Sequence, residues 1–571
     1  MSKPDILIAR GTVVDGTGAD RRVADVAIAG GRIVAIGDLD RRSAERVIDA
    51  DGLVVAPGFI DVHTHYDAQL HWDPYCTSSG WHGVTSVIVA NCGFGFAPLP
   101  EELRERAMQM MLRTEQVQLA AMRAGLRWQW ETFPDYLAAL ARLPKGVNVA
   151  SYLPLNPLMI DVMGIDAAKR RRPTSDETSA MRRRLREAMA SGAYGFSFSR
   201  MNGANNHTDF DGSPMPAELV PDETVLALAE ELGSIGRGVI QTLERTEDPA
   251  KDMRVVERLA ETAGRPVFHT PVVAFDHLPT AHRAVLDWLA ACAERGLDVY
   301  GQSILNRTWM EFTLAEWNMY DFLPVWNRAA QGSTAERLAR FSDPQVRAEM
   351  KAAENYDAVD WTMGVGGIEP LTVLDVRGDE DLRRYEGRSV GEIARAERRH
   401  PVDVFLDVAC ATRLEAEFRT GPGNSTDAKL VGELARHPRV VPGASDGGAH
   451  SKFFVGGQFT TEVLSWLVRD SGELTLEQAH HRLSALPAKL SGFADRGVLR
   501  VGAAADVVVY DLEALKAVPE ARYETRFDLP AGEWRKVHRA EGYRWTIVNG
   551  DVTMIDGAPT GATPGVLLSP G

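Results

Sequence analysis

The sequence predicts an α/β protein built on a (β/α)8, TIM-type barrel, with a small β-sandwich formed from the N- and C-terminal segments and an insertion near the barrel mouth. Three observations carry this reading. Both chain ends have the texture of short strands, the centre alternates apolar strands with amphipathic helical stretches, and the strand candidates of that centre number eight.

At the start, Asp5–Ala9 runs through Arg10-Gly11 into Thr12–Asp15, and Val23–Ile28 runs through Gly30-Gly31 into Arg32–Gly37. Period-two apolar residues broken by glycine pairs are a hairpin pattern. The same texture returns in Asp506–Tyr510, Trp545–Gly550 and Val552–Gly557. Residues 1–55 plus 495–571 are therefore expected to form one sandwich, with the barrel occupying 56–494. Barrel strands are expected at Val54–Val62, Thr85–Ala90, Asn148–Leu153, Tyr194–Phe198, Gly238–Thr242, Pro266–His269, Asp298–Gln302 and Val440–Ala444. Helical stretches such as Glu101–Leu126, Ser175–Ala190, Asp222–Ile235, Ala250–Ala263 and Thr280–Glu294 separate most of them. That alternation marks βα units. The gap at about 305–439 is too long for one connection and is expected to hold a partly helical subdomain over the mouth.

Composition narrows the function. A chain of 571 residues exceeds one ordinary core, and 44% hydrophobic with 25% charged residues describes a globular protein. The net charge of -16, spread without long like-charge runs, speaks against a nucleic-acid or anionic-membrane partner. No apolar stretch approaches the roughly 20 residues that span a bilayer, and the first residues lack a signal peptide's apolar run. Cys76, Cys92, Cys292 and Cys410 are sparse and have no CxxC spacing. A disulfide framework or zinc ribbon is not expected, and a cytoplasmic location is. A homo-oligomer contacting through the insertion is compatible with all of this.

His63 and His65 sit two apart at the end of an apolar strand. Period two turns both to one face, which in a barrel is the interior at the end where active sites are built. Two imidazoles converging on a point make two legs of a metal site. A solvated pair after a strand is the plainer alternative, and the Pro57–Asp61 run before them and His71 after them favour ligands. Asp446 follows the eighth strand in Gly443–Gly448. It reads either as a turn residue or as a carboxylate at the metal, able to take a proton from water. Cys92 ends the second strand before Gly93; alone it reads as packing, and at a strand end beside histidines it reads as a thiolate ligand. His269 closes Arg265–His269, again at a strand terminus.

Together these elements resemble the amidohydrolase superfamily, in its N-acyl-D-amino-acid deacylase (D-aminoacylase) branch. The resemblance lies in Ile8–Gly16, Pro57–His65 and Asp495–Asp506, and most specifically in Asn91-Cys92-Gly93 followed by Phe96-Ala97-Pro98. Strand four, Tyr194–Phe198, has no lysine of the kind that bridges two metals in much of the superfamily. The resemblance implies that Cys92 takes the bridging position. It further implies His63, His65, Cys92, His269 and Asp446 as metal ligands, Asp446 as the catalytic base, a barrel beside a sandwich, and hydrolysis of an N-acyl amino acid or related linear amide.

The sequence also departs from that pattern. In Gln241–Glu247, Leu243 stands where a ligating histidine is expected, which favours one zinc ion over two. Gln241 or Glu244 could substitute, although period two turns Glu244 away from Leu243's face. Tyr300–Ile304 and Gly447–His450 replace the expected substrate-reading runs. Arg245, His450 and Asn206, the last in a polar loop with Asn202, Asn205 and His207, are the candidate substrate contacts. Each also reads plainly as a structural or loop residue. Hydrolysis of a cyclic amide, a lactone or another carbonyl compound, and a barrel that binds without catalysis, stand as alternatives.

Overall fold

The structure, a computed structural model, describes residues 3–40, 44–201, 208–246, 248–353, 367–518 and 522–571. Eight barrel strands are numbered here in chain order. They are β1 (Phe59–Asp61), β2 (Val84–Val89), β3 (Asn148–Ser151, resumed at Leu153–Pro154), β4 (Gly195–Arg200), β5 (Val239–Glu244), β6 (Val267–Val272), β7 (Val299–Ser303) and β8 (Val440–Pro442). All neighbouring pairs are parallel, in two arcs joined through β3. The ring closes beyond β1 and β8, where Thr64 bridges Gly447 and the His65 amide donates to the Gly447 carbonyl at 2.7 Å. Ile60, Ile88, Tyr152, Phe268, Tyr300 and Val441 fill the interior. Strands buried on both faces read as apolar runs without alternation, so the sequence shows where they lie better than which way each side chain turns.

The first strand illustrates the limit. One strand was expected over Val54–Val62, and there are two. Val54–Pro57 pairs with Thr12-Val13 and, antiparallel, with Val507–Tyr510, whereas β1 begins after Gly58 and joins the barrel. At Gly58 a Cβ would stand 2.2 Å from Thr85 Oγ1, so only glycine fits where the chain changes sheets. An unbroken apolar run carries no mark of that change.

The two chain ends form a nine-stranded sheet. It folds over a core that includes Ile8, Val26, Ile28, Val55, Val507 and Ile547, giving the sandwich. The insertion carries three short antiparallel strands, Glu311–Thr313, Thr372–Asp375 and Glu417–Arg419. Its own core gathers Phe312, Trp326, Phe405 and Phe418. The helix Ala428–Arg436 falls inside the expected insertion but packs through Val431 and Leu434 with the barrel's outer layer, as the helix that leads into β8. Lys536, from the C-terminal segment, is buried between Glu311 (3.4 Å) and Glu417 of the insertion and so ties the two together. Among the described residues no helix is long and apolar enough to cross a membrane.

Candidate metal centre

The C-terminal ends of the strands open into a cleft enclosing about 1190 Å³, part of it open to solvent. His63 and His65 follow the end of β1 and line the cleft, and Cys92 follows β2. One donor atom from each lies within 4.8 Å of the others, and all three side chains are buried. Asp446, after β8, places Oδ1 3.3 Å from His63 Nε2 and 3.7 Å from His65 Nε2. Its side chain is 30% exposed toward the cleft.

The surroundings orient these donors. His63 Nδ1 lies 2.9 Å from Gln302 Oε1, an acceptor, so Nδ1 carries the proton and Nε2 presents its lone pair to the cluster. Gln302 also accepts from the Thr270 hydroxyl and donates to the Val62 carbonyl at 3.3 Å. Gln241 donates to Thr270 at 3.3 Å and accepts from the Cys92 amide at 2.7 Å. A chain of neutral side chains thus crosses the mouth from Cys92 to His63 through β5, β6 and β7. Across the mouth, the Ser445 hydroxyl donates to Asp61 at 2.7 Å and accepts from the Gly447 amide at 3.0 Å, which fixes the turn carrying Asp446. Gln302→Leu is expected to weaken divalent-metal affinity about 10- to 100-fold. Competition against a chelator measures this, and unchanged affinity would show that the chain does not orient His63.

Burial pushes the Cys92 thiol well above its ordinary value, and nearby Glu115 and Asp446 push the same way. Desolvation likewise raises Asp446, against the pull of His63. Two histidine nitrogens, a sulfur and a carboxylate oxygen are the donors zinc prefers, and a cation is what would hold the sulfur as thiolate. His63, His65 and Cys92, with Asp446 beside the two histidines, fit a divalent transition metal.

Other expected site residues fall elsewhere. His269 does not reach the cluster: Phe268 takes the interior position on β6, so His269 points outward, its ring 5.5 Å from Trp288 on the helix Ala281–Glu294. Burial lowers it to about 4. Thr270 has the inward position instead. Leu243 lines the cleft, and Glu244 turns outward to pair with Arg200 at 2.9 Å. His71 packs 5.4 Å from Trp130. Arg245 and His450 both line the cleft; burial lowers Arg245 to about 10, which leaves it a cation at neutral pH. Asn206, with Asn202, Asn205 and His207, lies outside the described residues.

Glu115 has no counterpart in the sequence reading. It ends the helix α1 (Arg104–Glu115), and its carboxylate is 3.7 Å from both His65 Nε2 and His450 Nε2. The His450 amide donates to the Glu115 carbonyl at 2.6 Å, which holds the two segments together. The stretch Glu101–Leu126 reads as one helix, yet it breaks at Gln116 (φ 54), where no glycine or proline announces the end. Apolar Phe275, Met310, Trp317, Phe453 and Phe454 complete the cleft wall.

A profile of the Amidohydrolase family matches residues 46–554. The N-acyl-D-glutamate deacylase of Alcaligenes xylosoxydans xylosoxydans is 30% identical over 524 residues, covering 90% of this chain and 88% of that protein. A crystal structure of D-aminoacylase, described as defining a novel subset of amidohydrolases, has a TM-score of 0.67 at 26% identity, with 99% of this chain and 100% of that chain covered. The N-acyl-D-glutamate deacylase of Bordetella bronchiseptica, in complex with zinc and a phosphonate inhibitor that mimics the tetrahedral intermediate, gives 0.67 at 25%, covering 99% of each chain. With the fold and the strand-end donors already in place, the chain belongs to the amidohydrolase family, in its N-acyl-D-amino-acid deacylase branch.

Proposed function

We propose that this protein hydrolyses the C–N amide bond of an N-acyl amino acid, of the D series by analogy with its relatives, or of a related linear amide. Its tight metal position is held by His63, His65, Cys92 and Asp446. The observation that carries the reading is the meeting of three buried donors within 4.8 Å at the C-terminal end of a barrel. A zinc ion held by these residues would supply Lewis acidity for a substrate carbonyl and for water. The zinc complex of the Bordetella relative supports that choice of metal. One tight metal is favoured because Leu243 offers no donor and Thr270 is committed to Gln302.

Asp446 faces both the donor cluster and the cleft, so it accepts the proton of the attacking water and returns it to the leaving nitrogen. Arg245 supplies a cation for the substrate carboxylate. Phe275, Phe453 and Phe454 receive apolar acyl or side-chain groups. The partner is this small-molecule amide, with no nucleic acid or membrane involved and a homo-oligomer through the insertion allowed. The free state of Cys76, Cys92, Cys292 and Cys410 suits a reducing cytoplasm.

Metal analysis of the purified protein, then chelation and zinc add-back, tests the reading together with a screen of N-acetyl-D-amino acids, N-acetyl-L-amino acids and cyclic imides. Zinc-restored hydrolysis of an N-acetyl-D-amino acid is expected. A protein that neither holds nor gains a transition metal overturns the proposal, and turnover of the cyclic imides alone would transfer it to cyclic amides.

A further inference from the structure

Beyond the four donors of the first position, the same row of side chains continues. From Cys92 Sγ to His63 Nε2 is 3.4 Å, and from there to Asp446 Oδ1 3.3 Å. From Asp446 Oδ1 to His65 Nε2 is 3.7 Å. Glu115 Oε2 is 3.7 Å from His65 Nε2 and 3.7 Å from His450 Nε2. Steps of this length are longer than the roughly 2.7–3.2 Å of an N–H···O hydrogen bond. They match two donors sharing a cation, since ligands about 2.1 Å from a metal at near-tetrahedral angles stand about 3.4–3.7 Å apart.

The row therefore has six donors, and a four-coordinate zinc uses four. Glu115 and His450 are left over. Glu115 is 1% exposed, and its Oε1 is buried without a hydrogen-bond partner. A carboxylate taken from water costs several kcal/mol unless it is paired, on the order of the general penalty for buried ions. The nearest arginine on its helix, Arg113, is turned to Asp321. His450 is held beside Glu115 by backbone as well as side chain, so this pair is a built feature and not a chance approach of two long side chains.

We propose that Glu115 and His450 form a second divalent-cation position at the His65 end of the row, weaker than the first because it has fewer protein donors and no thiolate. This rests on His63, His65, Cys92 and Asp446 being the first position. The second lies apart from the inward faces of β5 and β6, where Leu243 offers no donor and Thr270 is bonded to Gln302.

Cobalt(II) titration of the chelated full-length protein separates the two positions. A thiolate-to-cobalt charge-transfer band, reporting Cys92, is expected to saturate at about one equivalent. The visible d–d absorption and metal content after equilibrium dialysis are expected to rise to about two. Glu115→Gln and His450→Phe are each expected to remove the second equivalent and keep the charge-transfer band, which also certifies that the variant has folded. Saturation of the wild type at one equivalent overturns the second position and leaves the first standing. Retention of two equivalents by either variant, or loss of the charge-transfer band in a folded Glu115→Gln protein, also overturns it. Absence of that band from a wild type that does bind cobalt counts instead against Cys92 and the first position.

Discussion

Asp446→Asn is expected to lower kcat by about 10²- to 10⁴-fold, the range that general acid–base catalysis supplies, while the fold survives. Asp446 has φ 50, a left-handed conformation that asparagine adopts with little strain. The turn around it depends on Ser445, Asp61 and Gly447, none of which the substitution touches. The amide oxygen can still approach a metal, so metal content should fall far less than turnover. It cannot take a proton from water. Steady-state kcat, metal content and circular dichroism on the same preparation test this, and a variant that turns over as fast as the parent removes Asp446 from the base role.

Cys92→Ala attacks the centre from the other side, and its effect is expected on binding first. Loss of a thiolate donor should weaken zinc affinity by more than about 100-fold, beyond what removal of an outer hydrogen-bond partner costs, and turnover should fall with occupancy. The sign of the pH dependence follows from burial. The thiol is raised well above its ordinary value, so metal must displace its proton, and wild-type affinity should climb as pH rises. In the alanine variant that climb should flatten. Chelator competition across several pH values measures both effects. An alanine variant with wild-type affinity would show that sulfur is not a ligand.

The parts of the centre legible in the sequence are those where chemistry and position coincide. His63 and His65 are two apart at the end of a strand, and Cys92 and Asp446 sit at strand ends beside glycines that let the chain turn. His269 stood at a strand end too, but β6 is buried on both faces, and no second polar residue in Val267-Phe268-His269 marks which face is inward. Phe268 took the interior, and one residue of parity moved the histidine to the outer layer. Gln241, Thr270 and Gln302 went unrecognised as a unit because uncharged residues on three separate strands show nothing in sequence of the height at which they meet. Glu115 was invisible for another reason: it became a cleft residue only through the break at Gln116, in a stretch whose residue types all suit a continuing helix. The architecture was easier, since glycine-punctuated strands at both ends and βα alternation between them are long-range patterns that tolerate local error.

The pairing of Val54–Pro57 with Val507–Tyr510 also sets a timetable for the growing chain. About 450 residues separate the partners, so at roughly 5–20 residues per second of synthesis the first strands wait about 20 to 90 s for the last. During that interval the early strands Ile6–Val13 and Arg22–Ala29 carry an apolar face without its cover and a neighbouring edge open to other chains. The barrel between them can close on its own schedule, and the sandwich then acts as a clasp fastened once Val507–Tyr510 has been made. Yield of the folded protein is thus tied to how well the cell shields a nascent N-terminal sheet, a demand that the metal centre, assembled wholly inside the barrel, does not share.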